Sequence, residues 1–249
     1  MSVAEIFSAN SDIYATAVNE RFYTRIAAAL AEKVAARLTP RRILEVGAGT
    51  GAATVVLKRY FPLAEILATD PSERMLAHNR KKGLHGVRYA CFAAEELRSP
   101  NEGFDLIFGN ICYHWFLPGT ARNLAELLAP GGIMAFSVSV SGPEKEDGNI
   151  ILLRICRELS ISGRQGKHLL SLIRLRREFA CFPKCIMEKI ALRETHPPAL
   201  FGTLLRARGS WAFLFGPRAE EAEHRWWKLT AGRDRITLYW HIALVVVEK

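Results

Sequence analysis

The 249-residue sequence predicts an α/β fold in which helices cover both faces of a mostly parallel sheet. Three observations support this fold class. Between residues 40 and 140, five short apolar segments of strand character alternate with segments of helical period. A glycine-rich turn, GAGTG at residues 47–51, directly follows the first strand. Asp70 ends the second strand, about 20 residues further on.

The N-terminal segment, residues 4–38, has the pattern of an amphipathic helix. Apolar side chains recur at three- and four-residue spacing from Phe22 to Leu38, as they do on the buried face of a helix. Pro40 ends the pattern because proline cannot continue a helix and disfavours helical geometry just before itself. We assign residues 1–40 to an N-terminal helical lid.

The first strand, residues 43–46, leads into the glycine turn, and an apolar helix begins near Ala52. Gly47, Gly49 and Gly51 lack a Cβ atom, so a ligand can approach their backbone closely and positive φ angles are tolerated. This order of strand, turn and helix predicts a nucleotide-binding edge. The glycine triplet alone is a weak signal because such turns also serve packing.

Asp70 has two interpretations. At the carboxyl end of the second strand, an acid accepts hydrogen bonds from ribose hydroxyls in nucleotide-binding folds. Aspartate is also a frequent helix N-cap, and a helix is predicted over residues 73–79. Because the glycine turn accompanies it, we favour the ribose role.

The remaining strands of the first half follow in order. They are predicted at residues 65–69, 87–92, 104–108 and 133–140. A helix over residues 122–128 precedes the last of them and is stopped by Pro130, Gly131 and Gly132.

The pattern changes after Gly142. Basic helices are predicted over residues 150–182, an alternating strand over 186–194, two helices over 197–208 and 217–229, and a final strand over 236–247. A final strand reached through a hairpin would run antiparallel to its neighbour. We therefore divide the chain after the lid into a nucleotide-binding core (41–140), a basic cap insertion (141–196) and a segment that completes the core (197–249).

The charge is concentrated in the second part of the chain. Residues 1–150 contain 16 basic and 16 acidic side chains, whereas residues 151–249 contain 18 basic and 9 acidic ones. A positive field confined to one region suggests an anionic partner. A solvated helical face that keeps the protein in solution is the alternative, and the sequence leaves both open.

Composition excludes several classes of protein. No apolar run approaches the ~20 residues that a membrane-spanning helix needs, and the first residues lack the pattern of a secretory signal. The five cysteines are odd in number, so we expect reduced thiols and a cytoplasmic location. Cys181 and Cys185 lack the CxxC spacing and nearby histidines of a zinc site, and no metal is predicted.

Several separated motifs together resemble a class I S-adenosylmethionine-dependent methyltransferase. They are EVGAGTG at residues 45–51, Asp70 followed by Pro71-Ser72 and Met75-Leu76, Ala94-Glu95, FDLIFGNI at 104–111, and PGG at 130–132. The resemblance covers roughly residues 40–140. It implies a Rossmann-like, seven-stranded, mostly parallel sheet with an antiparallel last strand and a helical cap, and S-adenosylmethionine as the cofactor.

The resemblance also implies the cofactor-binding residues. The glycine turn would pack against the methionine part of the cofactor with Glu45 behind it, and Asp70 would take the ribose hydroxyls. Met75 would lie against adenine, and Asn110 would mark the passage from cofactor to acceptor. The full set is Glu45, Gly47, Ala48, Gly49, Gly51, Asp70, Pro71, Met75, Ala94, Glu95 and Asn110.

Outside the core, the chain is similar to the malonyl-acyl-carrier-protein O-methyltransferases of biotin synthesis. Phe7 and Tyr14 match that family's F-x6-Y lead, residues 203–213 resemble its L-K-x-x-G-A-T-H-L segment, and LYWHIALVVVEK resembles its final strand. His114-Trp115 stands where the family commonly has Gln-Trp, and Ala15 where it has an acid.

The similarity implies methylation of the free carboxyl group of a malonyl-carrier protein. Methylation of another small acid, as in the trans-aconitate type, is the first alternative, since such enzymes share much of the core. A non-catalytic accessory protein that binds the cofactor is the second.

Methyl transfer to a carboxylate needs positioning more than acid–base catalysis. A carboxylate is already ionised at pH 7, but it needs a cationic anchor, for which the planar fork of arginine is well suited. The sequence offers Arg154, Arg174, Arg176, Arg177 and Arg206. Of these, we select Arg154 and Arg174.

Two further side chains complete the predicted acceptor site. Tyr14 is a candidate lid residue, with helix packing as the alternative, and His114 is a candidate hydrogen-bonding or structural histidine. An acidic acyl carrier protein is the expected partner of the basic second half. Nucleic acid is disfavoured because no Asn/Asp-Pro-Pro-Tyr/Phe motif follows strand four and no clear stacking surface is present.

Overall fold

The computed structural model describes residues 2–97, 103–143, 145–161 and 171–249. Seven strands form one sheet: β1 Arg42–Val46, β2 Glu65–Thr69, β3 Val87–Ala90, β4 Phe104–Asn110, β5 Leu128–Val140, β6 Lys184–His196 and β7 Ile236–Glu248. Their order is β3-β2-β1-β4-β5-β7-β6. Strands β1 to β5 are parallel, and β7 runs antiparallel to both β5 and β6. The predicted seven-stranded, mostly parallel sheet is confirmed.

Helices cover this sheet. They are α1 Val3–Ala9, α2 Ser11–Tyr14, α3 Ala17–Ala35, α4 Ala52–Tyr60, α5 Glu73–Arg80, α6 Thr120–Glu126, α7 Asp147–Glu158, α8 Leu172–Glu178, α9 Pro198–Ala207, α10 Ser210–Phe215 and α11 Ala219–Thr230. Short 3-10 turns occur at Ala94–Glu96, Tyr113–Trp115 and Gly216–Arg218. Among the described residues, no helix is long and apolar enough to cross a membrane.

Strand β7 lies between β5 and β6, which explains its composition. Its last apolar run, residues 242–247, is buried throughout because both of its edges are paired and both of its faces are covered. The antiparallel direction was predicted from a hairpin, but no hairpin is present. Helices α9, α10 and α11 connect β6 to β7, and this connection brings the chain back to pair in the opposite sense.

The single N-terminal helix expected over residues 4–38 is divided into α1, α2 and α3. Polar side chains satisfy backbone groups at both breaks. The Asn10 amide donates to the Ile6 carbonyl (2.8 Å), and the Thr16 hydroxyl donates to the Ile13 carbonyl (2.9 Å). Such side-chain bonds compete with a continuous helix.

Helix α3 belongs to the core rather than to a movable lid. Ile26, Leu30 and Val34 are fully buried in the cluster that α3 forms with α4 and one face of the sheet. The short helices α1 and α2 of the segment 1–40 predicted as a lid contribute no fully buried member to that cluster, although Tyr14 of α2 packs against it.

Two other boundaries differ from expectation. Strand β5 begins at Leu128, before the PGG segment, and pairs there with Phe104; a shift of register before Leu106 accommodates the irregular residues. A Cβ atom on Gly132 would lie 3.0 Å from two carbonyl oxygens, so this segment needs glycine to stay in the strand. Residues 184–196, assigned from sequence to the cap, form the edge strand β6.

A third apolar cluster lies apart from the two that sandwich the sheet. It combines residues of α7, α9, α10 and α11 with the start of β7, and its largest members are Phe201, Trp211, Phe215 and Trp226. These helices stand beside the carboxyl ends of β4 and β5. The second half therefore builds a helical cap with a core of its own.

We expect Leu30→Ala to destabilise the protein by about 2–5 kcal/mol, because it opens a cavity in a fully buried position of α3. Urea unfolding followed by circular dichroism measures this change. Leu63, 96% exposed, provides the control: Leu63→Ala should alter stability by no more than about 0.5 kcal/mol. Equal effects of both substitutions would contradict the assignment of α3 to the core.

Candidate active site

The turn after β1 approaches its neighbours so closely that side chains do not fit. Gly47, Gly49 and Gly51 all have positive φ angles (64°, 53° and 94°). A Cβ atom on Gly47 would lie 2.6 Å from Cβ of Cys112. The Ala48 amide donates to the Thr69 carbonyl (2.9 Å), so the turn is fastened to the end of β2.

Asp70 lies at the centre of this edge. Its Oδ2 accepts from the Gly49 amide (3.0 Å) and its Oδ1 from the Ser72 amide (2.9 Å). Burial raises the pKa of Asp70 to about 6, although these two hydrogen bonds oppose the rise. Each oxygen retains acceptor capacity. The N-cap of α5 is Ser72, whose hydroxyl accepts from the Met75 amide (3.2 Å), so Asp70 does not serve as the cap.

Glu45 lies behind the turn and is fully buried. Neither of its carboxyl oxygens makes a well-formed hydrogen bond with a described residue. Burial raises the pKa of Glu45 to about 8; the nearby Thr54 hydroxyl lowers it to a smaller extent, and the charge of Asp70 raises it further. The free protein therefore holds a largely protonated carboxyl beneath the glycine turn at neutral pH.

The other predicted cofactor residues surround the same edge. Met75 is buried, and its Cε would lie 3.4 Å from a Cβ on Gly49. Ala94 is buried, whereas Pro71 is exposed. Glu95 accepts from the Leu117 amide (2.8 Å) and the Thr120 hydroxyl (3.3 Å), so its carboxylate anchors the segment that follows β4.

Asn110, at the end of β4, connects three elements. Its amide nitrogen donates to the Tyr23 carbonyl of α3 (3.1 Å). Its oxygen accepts from the Ser137 hydroxyl of β5 (2.7 Å). Asn110 thus joins the ends of β4 and β5 to the helix that carries Tyr23.

A cavity of about 340 Å³ lies between this edge and the cap. Most of its walls are apolar or aromatic. They include Phe7, Tyr14, Phe22, Tyr23, Ile111, His114, Trp115, Lys145, Leu152, Leu205, Arg208, Phe213, Leu214, Leu238, Tyr239, Trp240 and His241.

Aromatic rings from α1 and α2 close one side of the cavity. The Phe7 ring is 5.8 Å from Tyr14, 5.7 Å from Trp115 and 6.1 Å from Phe213. Tyr14 stacks on Tyr23 at 5.0 Å. Burial raises the pKa of Tyr14 well above its ordinary value, and the charges of Arg208 and Asp70 also act on it. Tyr14 therefore lines the cavity and packs on Tyr23, whose carbonyl is bound by Asn110 at the end of β4.

The histidine predicted from sequence does line the cavity. The His114 ring lies 4.5 Å from Trp115 on the turn after β4. Whether it contacts the acceptor or supports the wall stays a prediction.

The two selected arginines, in contrast, are outside the cavity. Arg154 pairs with Glu158 (2.7 Å) and is 63% exposed; Arg174 pairs with Glu178 (3.1 Å) and is 56% exposed. Each pair spans one helical turn, so the cation faces solvent and an acid of its own helix. Arg154 and Arg174, selected from sequence as acceptor anchors, therefore do not line this cavity. Arg206 is also exposed and pairs with Glu223.

Arg208 is the cation that sequence reasoning missed. It follows α9, is only 7% exposed and lines the cavity. Arg206 and Arg208 are two positions apart, so they project from different sides of the helix end. The sequence signal was an arginine within the apolar segment TLLRARGSWAF, but nothing in it indicated which arginine points inward.

Comparison with known proteins supports the assignment of this edge. A methyltransferase domain family matches residues 44–134. That segment is similar to a methyltransferase domain. Malonyl-[acyl-carrier protein] O-methyltransferase of Halorhodospira halophila is 38% identical over 112 residues, 43% of this chain and 37% of that protein. Trans-aconitate 2-methyltransferase of an Acidovorax species is 36% identical over 124 residues, 48% of this chain and 47% of that protein.

The chain thus spans less than half the length of these curated relatives. Solved structures extend the similarity of fold further. The YcgJ protein of Bacillus subtilis aligns with 90% of this chain and 97% of its own at a TM-score of 0.59 and 17% identity. The plantazolicin methyltransferase BpumL, solved with S-adenosylhomocysteine, aligns with 94% of this chain and 87% of its own (TM-score 0.54, 14% identity). The resemblance to class I methyltransferases is confirmed.

The residues present fit S-adenosylmethionine. The turn has the positive φ angles that glycine tolerates, and Asp70 retains acceptor capacity for two hydroxyl groups. The buried carboxyl of Glu45 lacks a partner among the described residues, and the cofactor carries two cationic groups, an ammonium and a sulfonium. Glu45, the glycine turn, Asp70 and Met75 would hold it.

Glu45 makes a pH-dependent contribution to stability. Its pKa of about 8 in the folded protein exceeds the unfolded value of 4.5, so the folded state binds more protons between these limits and stability falls as pH rises through them. Glu45→Gln, which mimics the protonated form, should match the wild type near pH 4.5. It should then become more stable than the wild type by about 1.4 kcal/mol for each pH unit up to pH 8.

Urea unfolding of both proteins across this range measures the difference. Glu65, an exposed acid with its side chain on the surface, supplies the control substitution Glu65→Gln. A constant difference between Glu45→Gln and wild type at every pH would show that Glu45 is ionised in the folded protein.

Proposed function

We propose that this chain is an S-adenosylmethionine-dependent methyltransferase whose acceptor occupies the cavity between the methyltransferase domain and the cap. The observation that carries the proposal is the position of Tyr14. Tyr14 lines the cavity and stacks on Tyr23 at 5.0 Å, and the Tyr23 carbonyl accepts from the amide of Asn110 at the end of β4 (3.1 Å), so the cavity lies next to the carboxyl edge of the sheet that carries the glycine turn. A donor held at that edge and an acceptor held in that cavity would meet beside Tyr14.

When bound, the cofactor would supply a methyl group, with S-adenosylhomocysteine leaving as a neutral thioether when the acceptor oxygen bonds to the methyl carbon in line. Transfer then depends on alignment and on exclusion of water. Asp70 and the glycine turn fix the donor side. The rings of Tyr14, Trp115 and Phe213 pack around Phe7 in one wall of the cavity. An ionised carboxylate needs no general base, in keeping with the apolar walls of the cavity.

We further propose that the acceptor is the free carboxyl group of a malonyl-acyl-carrier protein. The relatives named as such support this choice, and so does the excess of 9 basic over acidic residues in the second part of the chain, to which an acidic carrier protein would dock. We expect the enzyme to be cytoplasmic and to use no metal.

A free small acid is the second candidate acceptor, because relatives are named trans-aconitate 2-methyltransferase. An accessory protein that binds the cofactor without transferring its methyl group is the third possibility. The methyl-ester assay below, run also with free acids such as trans-aconitate, separates all three.

Incubation with labelled S-adenosylmethionine and either malonyl-acyl-carrier protein or malonyl-coenzyme A should yield a methyl ester faster with the carrier protein. This preference should shrink as salt is raised, because exposed charges are screened beyond about 8 Å at physiological ionic strength. Product is measured by mass spectrometry. Equal rates on both acceptors at every salt concentration would exclude carrier docking, and no ester with any acid would exclude both enzymatic candidates.

Asp70→Ala should weaken binding of S-adenosylhomocysteine by at least about tenfold, since hydrogen bonds to a buried charged group are lost. Isothermal titration measures the affinity. The exposed Asp234 gives the control Asp234→Ala, for which no change is expected. Unaltered affinity in Asp70→Ala would restrict Asp70 to a structural role in the turn.

A further inference from the structure

Arg208 stands out because it is a buried cation in a largely apolar cavity. Its Nη1 and Nη2 donate to the two carboxylate oxygens of Glu194 (2.6 and 2.9 Å), and its Nε donates to Oδ1 of Asn19 (2.9 Å). Its guanidinium carbon lies 4.2 Å from the Phe22 ring centre and 5.2 Å from that of Trp240. The guanidinium is thus held in one orientation from several directions.

The pair is charged but has no net charge. Burial of Glu194 opposes ionisation, yet the hydrogen bond and charge of Arg208 hold its pKa below its ordinary value. Glu194 in turn keeps the pKa of Arg208 raised despite burial of the guanidinium. The positive charge of Arg208 is therefore cancelled where it enters the cavity.

Two N–H groups of Arg208 remain available. A guanidinium carries five N–H groups, and three of them have acceptors among the described residues. Leaving buried donors unpaired is costly, and Arg208 lines the cavity. A ligand oxygen is the partner that would satisfy them.

The hydrogen bonds of Arg208 extend through Asn19 to Tyr14 of α2. The amide nitrogen of Asn19, whose oxygen accepts from Arg208, donates to the carbonyl of Tyr14 (2.8 Å). Arg208 is thereby connected through one side chain to Tyr14, which stacks on Tyr23 next to Asn110 at the end of β4. An acceptor bound by Arg208 would be adjacent to the methyl donor.

We propose that Arg208 binds the methyl acceptor through these two N–H groups, and that Glu194 restricts acceptors to those with a single free carboxylate. This inference rests on the proposed function. The negative charge of the reacting carboxylate would be balanced by the positive charge of the sulfonium. An uncharged oxygen, such as a thioester carbonyl, would accept hydrogen bonds from the guanidinium of Arg208, whose charge Glu194 neutralises. A second carboxylate would have to be desolvated without a counterion.

The remaining walls support this selectivity. Apart from Arg208, Lys145 is the other Lys or Arg among the described cavity residues. It is exposed, and its ammonium donates to the Pro143 carbonyl (3.3 Å), so its charge is largely hydrated. An acid with two or three carboxylates would find apolar and aromatic surface where it needs cations.

The test compares three acceptors: malonyl-pantetheine with one carboxylate, malonate with two and trans-aconitate with three. Isothermal titration in the presence of S-adenosylhomocysteine measures binding without turnover, and labelled S-adenosylmethionine measures transfer. The wild type should bind malonyl-pantetheine at least about tenfold more tightly than either free acid. Glu194→Gln should reduce this preference by about tenfold or more, because it uncovers the charge of Arg208.

Arg208→Lys should weaken binding of malonyl-pantetheine by about tenfold, since an ammonium cannot reproduce the planar set of donors. Arg206→Gln, two residues away on the exposed side, is the matched control and should leave affinity and selectivity unchanged. Thermal unfolding and S-adenosylhomocysteine binding establish that each variant is folded. If Glu194→Gln does not fold, the neutral double variant Glu194→Gln with Arg208→Gln replaces it, and this variant should lose the preference for malonyl-pantetheine.

The outcomes separate this inference from the proposed function. Selective binding that depends on Glu194 and Arg208, without methyl transfer, would reject the function and support the inference. Methyl transfer with a selectivity that neither substitution changes would overturn the inference alone. Wild-type protein that binds malonate or trans-aconitate as tightly as malonyl-pantetheine, or binds none of the three, would also overturn it.

Discussion

The close approach of the β1 turn to the ends of β2 and β4 is the constraint on which the active-site edge depends. The turn contacts Cys112 so tightly that Gly47 has no room for a side chain, and it is fastened to β2 through Thr69 and Asp70. This packing removes water from Glu45 and Asp70 and raises the pKa of both carboxyl groups. An edge with desolvated acids is suited to a ligand with hydroxyl and cationic groups.

The cap is organised by a different interaction, the buried pair of Arg208 and Glu194. It joins the end of α9 to the edge strand β6, and Asn19 extends it to α3. A buried ion pair of this kind is weak support for stability by itself, because desolvation offsets much of the attraction. Because Arg208 lies in the cavity wall, we infer that the pair serves acceptor selection more than stability.

Similarity to known proteins covers the glycine-turn edge but not the cap. The methyltransferase family match covers residues 44–134, which include the glycine turn, Asp70 and Asn110. Arg208, Glu194 and the cap helices lie beyond that segment. Similarity therefore supports the donor side of the site, whereas the acceptor side depends on contacts within this chain.

The sequence by itself determined the sheet, the glycine turn and the position of Asp70, because alternation, turn residues and strand ends are local features. It also indicated Tyr14 as a candidate lid residue and His114 as a candidate acceptor-site residue, and both side chains line the cavity. The position of arginines in the cap was decided only by tertiary structure: Arg154 and Arg174 pair with acids on their own helices, while Arg208 turns inward to an acid 14 residues away in sequence. Which face of a short helix end is buried depends on the elements that pack against it, and no local pattern in the chain encodes that choice.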